Sequence, residues 1–236
     1  MGEHTVASFD AELEQIDRLI LDMGELGARM VREATSALLN AEERRASNVI
    51  AEDAAMDAYQ RELDARVVTL IAKRQPMAQD LRAVIGALRM ANDLERIGDL
   101  AKNIAKRVSA VGRAPAAGTL SASIEAMSGL VLDQVQAVVD RYVGRDADAL
   151  EALRMQDEKI DIRYTAIFRE LLTYMMEDPR NITTCTHLLF CAKNLERIGD
   201  HVTNIAENAY YVLTGLQLPA KRPKRDETSP APLPAI

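Results

Sequence analysis

Two matching sets of oxygen-bearing side chains are the residues of this chain whose types and spacing could do chemistry. In each set, an acidic pair four positions apart is followed, after a proline, by the pattern Glu-x-x-x-Asp-x-x-x-Asn. The first set is Asp53, Asp57, Glu95, Asp99 and Asn103, and the second is Asp157, Asp161, Glu196, Asp200 and Asn204. Oxygens at positions i, i+4 and i+8 of a helix point in similar directions. Such a set suits hard cations such as Mg²⁺ and Mn²⁺, and also iron.

Charge balance leaves two interpretations of these sets open. Four carboxylates at one level repel one another unless a positive charge lies among them. The chain offers two sources of that charge, which are the arginines inside the pattern, Arg96 and Arg197, or a bound metal ion. The spacing alone is consistent with both an arginine network and a metal site.

The sets repeat because the chain itself repeats. Residues 90–106 (MANDLERIGDLAKNIAK) return as residues 191–207 (CAKNLERIGDHVTNIAE), with 10 of 17 positions identical at an offset of 101. The acidic pairs that precede them repeat at an offset of 104. A duplication is the simplest explanation, and it divides the 236 residues into two units of about 105 residues each.

The elements that must position these residues are helices. The chain has 48% hydrophobic residues but only 11 Gly and 8 Pro, and it is rich in Ala, Leu, Glu and Arg, which is typical of an all-α protein. We predict two tandem antiparallel three-helix bundles, over residues 1–111 and 119–215, joined by a linker at 112–118 and followed by a disordered Pro-rich tail at 216–236. The six predicted helices are 8–39, 47–74, 76–111, 121–143, 146–177 and 179–213.

Apolar periodicity along the third and sixth helices predicts which faces are buried. Apolar residues recur at steps of three and four, and the acidic stripe lies on the opposite side of each helix. The third-helix seam is Ala87, Met90, Leu94, Ile97, Ala101, Ile104 and Val108, and the sixth-helix seam is Leu188, Cys191, Leu195, Ile198, Val202, Ile205, Ala209 and Val212. In each hairpin the two acidic pairs stand about 30 Å from the turn, so they come level with each other.

Composition and charge narrow the function classes. A net charge of −7 argues against nucleic-acid binding, and the one basic cluster, at 221–225, sits in the Pro-rich tail. No apolar run is long enough for a membrane span, and the N-terminus is too polar for a signal peptide, so we expect a cytoplasmic protein. We read Cys185 and Cys191 as buried reduced thiols.

The paired motifs LERIGDLAKNIAKR and LERIGDHVTNIAEN resemble the double signature of the PhoU family of phosphate-signalling regulators, and QPMAQDLR before the first copy is also similar. The resemblance covers about residues 3–215. It implies a twin three-helix-bundle fold and metal clusters, of Fe, Zn, Mn or Mg, bound through Glu/Asp-x-x-x-Asp pairs. Here those pairs fall on Asp53 and Asp57 with Glu95 and Asp99, and on Asp157 and Asp161 with Glu196 and Asp200, with Asn103 and Asn204 as extra ligands.

The same resemblance implies a function and partners. Members act as negative regulators of the phosphate-starvation response and link the ATPase of the phosphate-specific ABC transporter to a membrane sensor histidine kinase. Dimer formation is common among them. For this chain it implies a homodimer that approaches the membrane only through its partners.

The two copies differ in ways that bear on the second site. Asn92 is matched by Lys193, and Asp93 by Asn194, so we expect the second site to be less acidic and to bind its metal more weakly. His201 has Leu100 as its counterpart, and we interpret it as a surface histidine rather than a metal ligand.

Three function classes remain from the sequence. A non-enzymatic regulator with structural or sensing metals comes first, because no nucleophile or phosphate-binding loop is recognisable. A di-iron carboxylate protein is disfavoured, because its Glu-x-x-His motif would need histidine where Gly98 and Gly199 stand. A helical adaptor whose acidic stripes meet basic partners without metal is the third class.

Overall fold

The computed structural model describes residues 2–112 and 119–218, with side chains from residue 9 onward. Within those ranges the chain forms helices and short turns and no strand. The first half contains α1 (Gly2–Asn40), α2 (Glu43–Arg74), α3 (Gln79–Ala105) and α4 (Val108–Val111). The second half contains α5 (Thr119–Val143), α6 (Ala147–Arg154), α7 (Asp157–Glu177) and α8 (Ile182–Thr214), with a 3-10 turn, Pro179–Asn181, before α8. The predicted all-α fold is confirmed. The linker from 113 to 118 and the tail from 219, with its basic cluster, lie outside the described residues.

The single helix predicted over 146–177 is wrong, because the structure breaks it into α6 and α7. At the break, the N–H of Gln156 donates to Leu153 O at 2.9 Å and the N–H of Lys159 donates to Gln156 O at 3.0 Å, which is the tighter i−3 pattern. Gln134 Nε2, from α5, also donates to Gln156 O at 3.2 Å. A side chain of a neighbouring helix thus helps satisfy a carbonyl that the break exposes.

Other helix boundaries also differ from the prediction. α3 begins at Gln79 rather than at Pro76, because α2 ends in a left-handed residue, Gln75 (φ 49°), whose N–H donates to Ile71 O. α1 and α2 begin before their predicted starts, and α3 stops at Ala105, after which the chain resumes as α4. These shifts leave the acidic positions on the predicted helices.

The centre of the molecule is an antiparallel pair made by α3 and α8. Two contacts set its register, since Arg107 Nη1 lies 3.1 Å from His187 Nδ1 and Asp93 Oδ1 lies 2.9 Å from His201 Nδ1. α2 packs beside α3 and α7 beside α8, while α1 and α5 pack on each other and on this pair. Every residue of the two predicted seams is buried in one contiguous core, so that prediction is confirmed.

Two further sequence expectations concern the core and the membrane. Cys185 and Cys191 are free and buried, as predicted, and burial raises the pKa of Cys191 to about 12. Over 2–112 and 119–218, no helix has both the length and the apolar character that crossing a bilayer requires.

Candidate metal centres

The first carboxylate cluster consists of Asp53 and Asp57 on α2 with Glu95 and Asp99 on α3. The ammonium of Lys102 bridges the two helices, with Nζ 2.5 Å from Asp53 Oδ2 and 2.7 Å from Asp99 Oδ1. One side chain can reach both helices because the acidic pairs stand level, as the hairpin spacing predicts. Lys102, which the sequence analysis did not consider, is therefore the main internal cation of this cluster.

Arginine also contributes to the first cluster. Arg96 Nη1 lies 3.2 Å from Asp99 Oδ2, and Arg96 Nε lies 3.4 Å from Glu95 Oε2. The arginine network of the sequence analysis thus exists for Arg96, whereas Arg197 is exposed at the corresponding position.

In the first cluster, the pKa values of the two carboxyl groups on α3, Glu95 and Asp99, shift in opposite directions. Burial, then the nearby charges of Asp99 and Asp57, raises the pKa of Glu95 despite Arg96. Burial also acts to raise the pKa of Asp99, but the hydrogen bond from Lys102 and the charges of Lys102 and Arg96 lower it overall. Burial would lower the pKa of Lys102, and the hydrogen bonds to Asp53 and Asp99 reverse this and raise it. Of these two α3 carboxyl groups, Glu95 is the one whose ionisation is less compensated.

The second carboxylate cluster, made by Asp157, Asp161, Glu196 and Asp200, lies deeper in the protein. Asp157, Asp161 and Glu196 are buried, and Glu196 is only 5% exposed. α7 begins at Asp157, so that carboxylate stands in the first helical turn, where unpaired N–H groups and the helix dipole favour negative charge. Asp53 has no such position, since it lies inside α2.

Glu196 is the central residue of the second cluster. Lys193 Nζ lies 2.7 Å from Glu196 Oε1, whereas Glu196 Oε2 is buried and has no hydrogen-bond partner among the described residues. Burial raises the pKa of Glu196, and so do Asp200 and Asp161, while Lys193 opposes them. A buried carboxylate oxygen without a partner is energetically costly, and a bound cation would satisfy it.

The structure does not join the two asparagines to the carboxylates. Asn103 and Asn204 are exposed one turn beyond Asp99 and Asp200. The Nδ2 of Asn208 donates to the main-chain oxygen of Asn204 at 3.0 Å. Their role as extra ligands stays a prediction.

The expectations for Asp93 and His201 need correction. Both residues lie in the seam between α3 and α8, where the imidazole N–H of His201 donates to Asp93 Oδ1 at 2.9 Å. His201 is half-buried rather than a surface residue, and Asp93 is buried outside the first cluster. The exchange of Asp93 for Asn194 therefore does not make the second cluster less acidic. The repeat comparison placed both residues on α3 and α8, but it gave no information on how the two halves pack together.

As the side chains stand, no group of three or more His, Cys, Asp or Glu within the described ranges is arranged to hold a metal ion. The donor chemistry nevertheless fits a hard cation, because each cluster presents carboxylate oxygens from two helices and contains a buried glutamate oxygen without a hydrogen-bond partner among the described residues, Glu95 Oε2 or Glu196 Oε2. Lys102 forms an ion pair with Asp53 in the first cluster, and Lys193 forms one with Glu196 in the second. A metal ion would have to displace them.

Comparison with known proteins gives consistent matches to one family. The model of the PhoU domain matches the chain twice, over residues 20–108 and 124–209. The phosphate-specific transport system accessory protein PhoU homolog of Rhizobium meliloti is 50% identical over 226 residues, which are 96% of this chain and 95% of that protein. The protein of the same name from Caulobacter vibrioides is 45% identical over 229 residues, covering 97% of this chain and 100% of the relative.

Solved structures agree in fold. The crystal structure of PhoU from Pseudomonas aeruginosa superposes with a TM-score of 0.83 at 36% identity, covering 88% of this chain and 100% of that one. The phosphate transport system regulatory protein PhoU from Streptococcus pneumoniae superposes with a TM-score of 0.82 at 28% identity, covering 89% of this chain and 99% of that one. The three-dimensional arrangement is thus shared.

Proposed function

This chain belongs to the PhoU family, and from that membership we propose that it is an accessory regulator of phosphate-specific transport that represses the phosphate-starvation response and limits phosphate uptake. The support is the near full-length similarity to proteins named as accessory to that transport system. It acts by binding rather than by catalysis.

The proposed partners are the ATPase subunit of the phosphate ABC transporter and a sensor histidine kinase, with the protein acting as a cytoplasmic homodimer. Its contact with the membrane is then indirect, through these partners.

The two carboxylate clusters are the functional sites that we assign to this regulator. The observation that carries a metal-binding role is the buried Oε2 of Glu196, which lies in an acidic surrounding and has no hydrogen-bond partner in the described part of the chain. Glu95, Asp99, Asp53 and Asp57 would hold a cation in the first cluster, and the equivalent residues in the second. A bound divalent cation would neutralise the carboxylates and connect the two helices of each hairpin.

A metal-free adaptor is the second candidate, and Lys102 is the observation that favours it. Its ammonium already connects α2 to α3 in the first cluster, so that cluster is partly neutralised without metal. In this case the acidic faces bind basic partner surfaces directly. Metal content of the purified protein discriminates between the two candidates.

The test combines a reporter of phosphate-starvation genes with elemental analysis. In cells that lack the chromosomal copy, the Glu95→Ala, Glu196→Ala double variant should remain helical, lose its metal and fail to repress the reporter. The matched control is Asp64→Ala with Glu125→Ala, which removes the same charge from exposed positions outside the clusters. Full repression by the cluster variant would count against a functional role for the carboxylates. Loss of repression without any metal in the wild type would favour the adaptor.

A further inference from the structure

A cleft of about 650 Å³ lies between α3 and α8, towards the end of the pair where α3 begins and α8 finishes. Arg89 and Asn92 line its α3 wall, and Asn204, Asn208 and Tyr211 line its α8 wall. Binding sites for small molecules commonly have volumes of roughly 300–1,000 Å³ and carry a few convergent polar groups. This cleft has both properties, and the carboxylate clusters do not account for it.

The equivalent positions of the other half are filled by a stacked pair of side chains. At the offset of 101 residues, Arg89 corresponds to Phe190, and Asn208 corresponds to Arg107. The guanidinium of Arg107 lies 4.5 Å from the ring centre of Phe190, and its Nη1 lies 3.1 Å from Nδ1 of His187. Arg89 and Asn208 form no such contact within the described ranges, so the cleft stays open between them.

The charges that line the cleft leave one arginine unbalanced. Asp93 accepts a hydrogen bond from His201 at 2.9 Å, and Glu207 Oε1 lies 2.8 Å from Arg154 Nε in an ion pair. Both lining carboxylates are therefore engaged with other groups. Arg89, by contrast, is exposed and forms no ion pair with any residue that the structure describes. Its guanidinium is available to an anion that enters the cleft.

A second arginine adds positive potential at the same end of α3. Arg82 precedes Arg89 by seven residues, so the two side chains lie on one face of the helix, about 10 Å apart along its axis. The guanidinium of Arg82 lies 6.0 Å from the ring centre of Tyr211, and its Nε is buried without a hydrogen-bond partner in the described part of the chain. The cleft therefore combines cationic groups with neutral hydrogen-bonding groups.

We propose that this cleft binds an organic phosphate, which is a small molecule that carries a phosphate group. The phosphate pairs with Arg89, because a guanidinium offers two parallel N–H groups that match two phosphate oxygens. The rest of the ligand contacts the amides of Asn92, Asn204 and Asn208 and the hydroxyl of Tyr211. The cleft is far larger than an inorganic phosphate ion, which could not reach both walls at once. The inference goes beyond the proposed function, since it uses none of the cluster carboxylates.

The experiment is isothermal titration calorimetry of the full-length protein with glycerol 3-phosphate, glucose 6-phosphate, AMP and ADP. A chelator is present throughout, so that no ligand binds through a metal ion. Glucose and adenosine are the matched compounds without phosphate, gluconate replaces the phosphate of the sugar with a carboxylate, and inorganic phosphate is tested as a competitor.

Three variants test the site. Arg89→Gln removes the unbalanced charge, and Arg18→Gln removes the same charge from an exposed position on α1 as the control. Arg89→Phe with Asn208→Arg installs the two residues that stack on each other in the other half. Circular dichroism melts of each variant establish that the protein is folded.

We expect at least one of the four organic phosphates to bind, and its phosphate-free counterpart to bind at least roughly tenfold more weakly. Arg89→Gln should weaken binding by roughly tenfold or more, whereas Arg18→Gln should change it by less than about twofold. The double variant should abolish binding, because the new side chains fill the cleft. Inorganic phosphate should compete only weakly.

Three results would overturn the inference. They are a failure of all four organic phosphates to bind the wild type, an effect of Arg89→Gln no larger than that of Arg18→Gln, and binding of gluconate as tight as that of glucose 6-phosphate. The Glu95→Ala, Glu196→Ala variant should still bind the ligand. Its loss of repression therefore tests the proposed function separately from the cleft.

Discussion

The two carboxylate clusters come from one repeated motif, yet they differ in depth and in how their charge is balanced. The first lies near the surface and is neutralised by an ammonium between two helices. The second is more deeply buried, and its lysine, Lys193, pairs with Glu196. Each cluster retains one buried glutamate oxygen without a hydrogen-bond partner among the described residues, Glu95 Oε2 in the first and Glu196 Oε2 in the second. The acidic positions are the same in both copies, whereas the compensating cation has moved. The spacing of the acidic residues therefore determines which oxygens lie in each site, but it does not determine which positive charge balances them.

The helix that carries Asp157 and Asp161 also starts differently from the helix that carries Asp53 and Asp57. The break between α6 and α7 lets a new helix start at Asp157, so the cluster gains a helix N-terminus. The packing there is also tighter, because a Cβ built on Gly199 would lie 3.2 Å from Asp157 Oδ1 and 2.8 Å from Ile160 Cδ1. The equivalent Cβ on Gly98 would lie 3.2 Å from Met56 Cγ.

The largest loss of stability is expected for a hydrogen-bonded pair whose residue types are not repeated at the equivalent positions of the other half. Asp93 and His201 bond across the seam between α3 and α8, whereas the equivalent positions hold Asn194 and Leu100. His201→Leu leaves the buried Asp93 carboxylate without this donor and should lower the free energy of unfolding by about 3 kcal/mol. Urea unfolding monitored by circular dichroism measures the change.

The double variant sharpens that prediction. Asp93→Asn together with His201→Leu installs the residues of the other half on both sides of the seam, and it should cost less than the sum of the two single variants. If the loss of unfolding free energy in the double variant equals the sum of the losses in the two single variants, this contact does not couple the two halves.

The next effect compares the two motif glycines. Gly199→Ala should destabilise the protein by about 1–2 kcal/mol, because the new methyl group meets Ile160 and Asp157, which are both buried. Gly98→Ala should be close to neutral, since Met56 is flexible and alanine gains about 1 kcal/mol in helix propensity over glycine. Thermal melts of the two variants in parallel provide the measurement. Equal losses would contradict the tighter packing of the second cluster.

Much of the fold was accessible from the sequence because its signals are local and repeated. The apolar seams of the third and sixth helices follow directly from the spacing of residues such as Leu94 and Leu195, and both are buried as predicted. The level arrangement of the acidic pairs follows from equal distances to each turn. The break before Asp157 was missed because Gln134, which bonds to the freed carbonyl, lies 22 residues away on another helix.

The ion pairs of the clusters can be predicted from the sequence only in part. Lys102 follows Asp99 at i+3 and therefore shares its side of the helix, so the sequence held a signal for this ion pair. The contact of His201 with Asp93 had no comparable signal, because it depends on how α8 packs against α3. Sequence repeats identify equivalent positions within each half, whereas contacts between the halves must be observed.

The smallest expected effect is a pH-dependent change in melting temperature, which compares how deeply the two clusters are buried. Burial, together with the neighbouring carboxylates, raises the pKa of both Glu196 and Glu95 above the ordinary value of 4.5. A carboxyl group with a raised pKa destabilises the fold when it is ionised. That penalty is absent below pH 4.5, grows as the pH rises through the interval up to the folded-state pKa, and is complete above it.

In protein freed of metal by a chelator, Glu196→Gln should therefore raise the melting temperature at pH 7.5 by about 1–3 °C and have no effect below pH 4. Glu95→Gln should give a smaller rise, because the Glu95 side chain is 14% exposed and the Glu196 side chain 6%. Glu125→Gln, at an exposed position, is the control. A larger rise for Glu95→Gln would reverse the order of the clusters, since it would place the greater uncompensated charge in the cluster that contains Lys102.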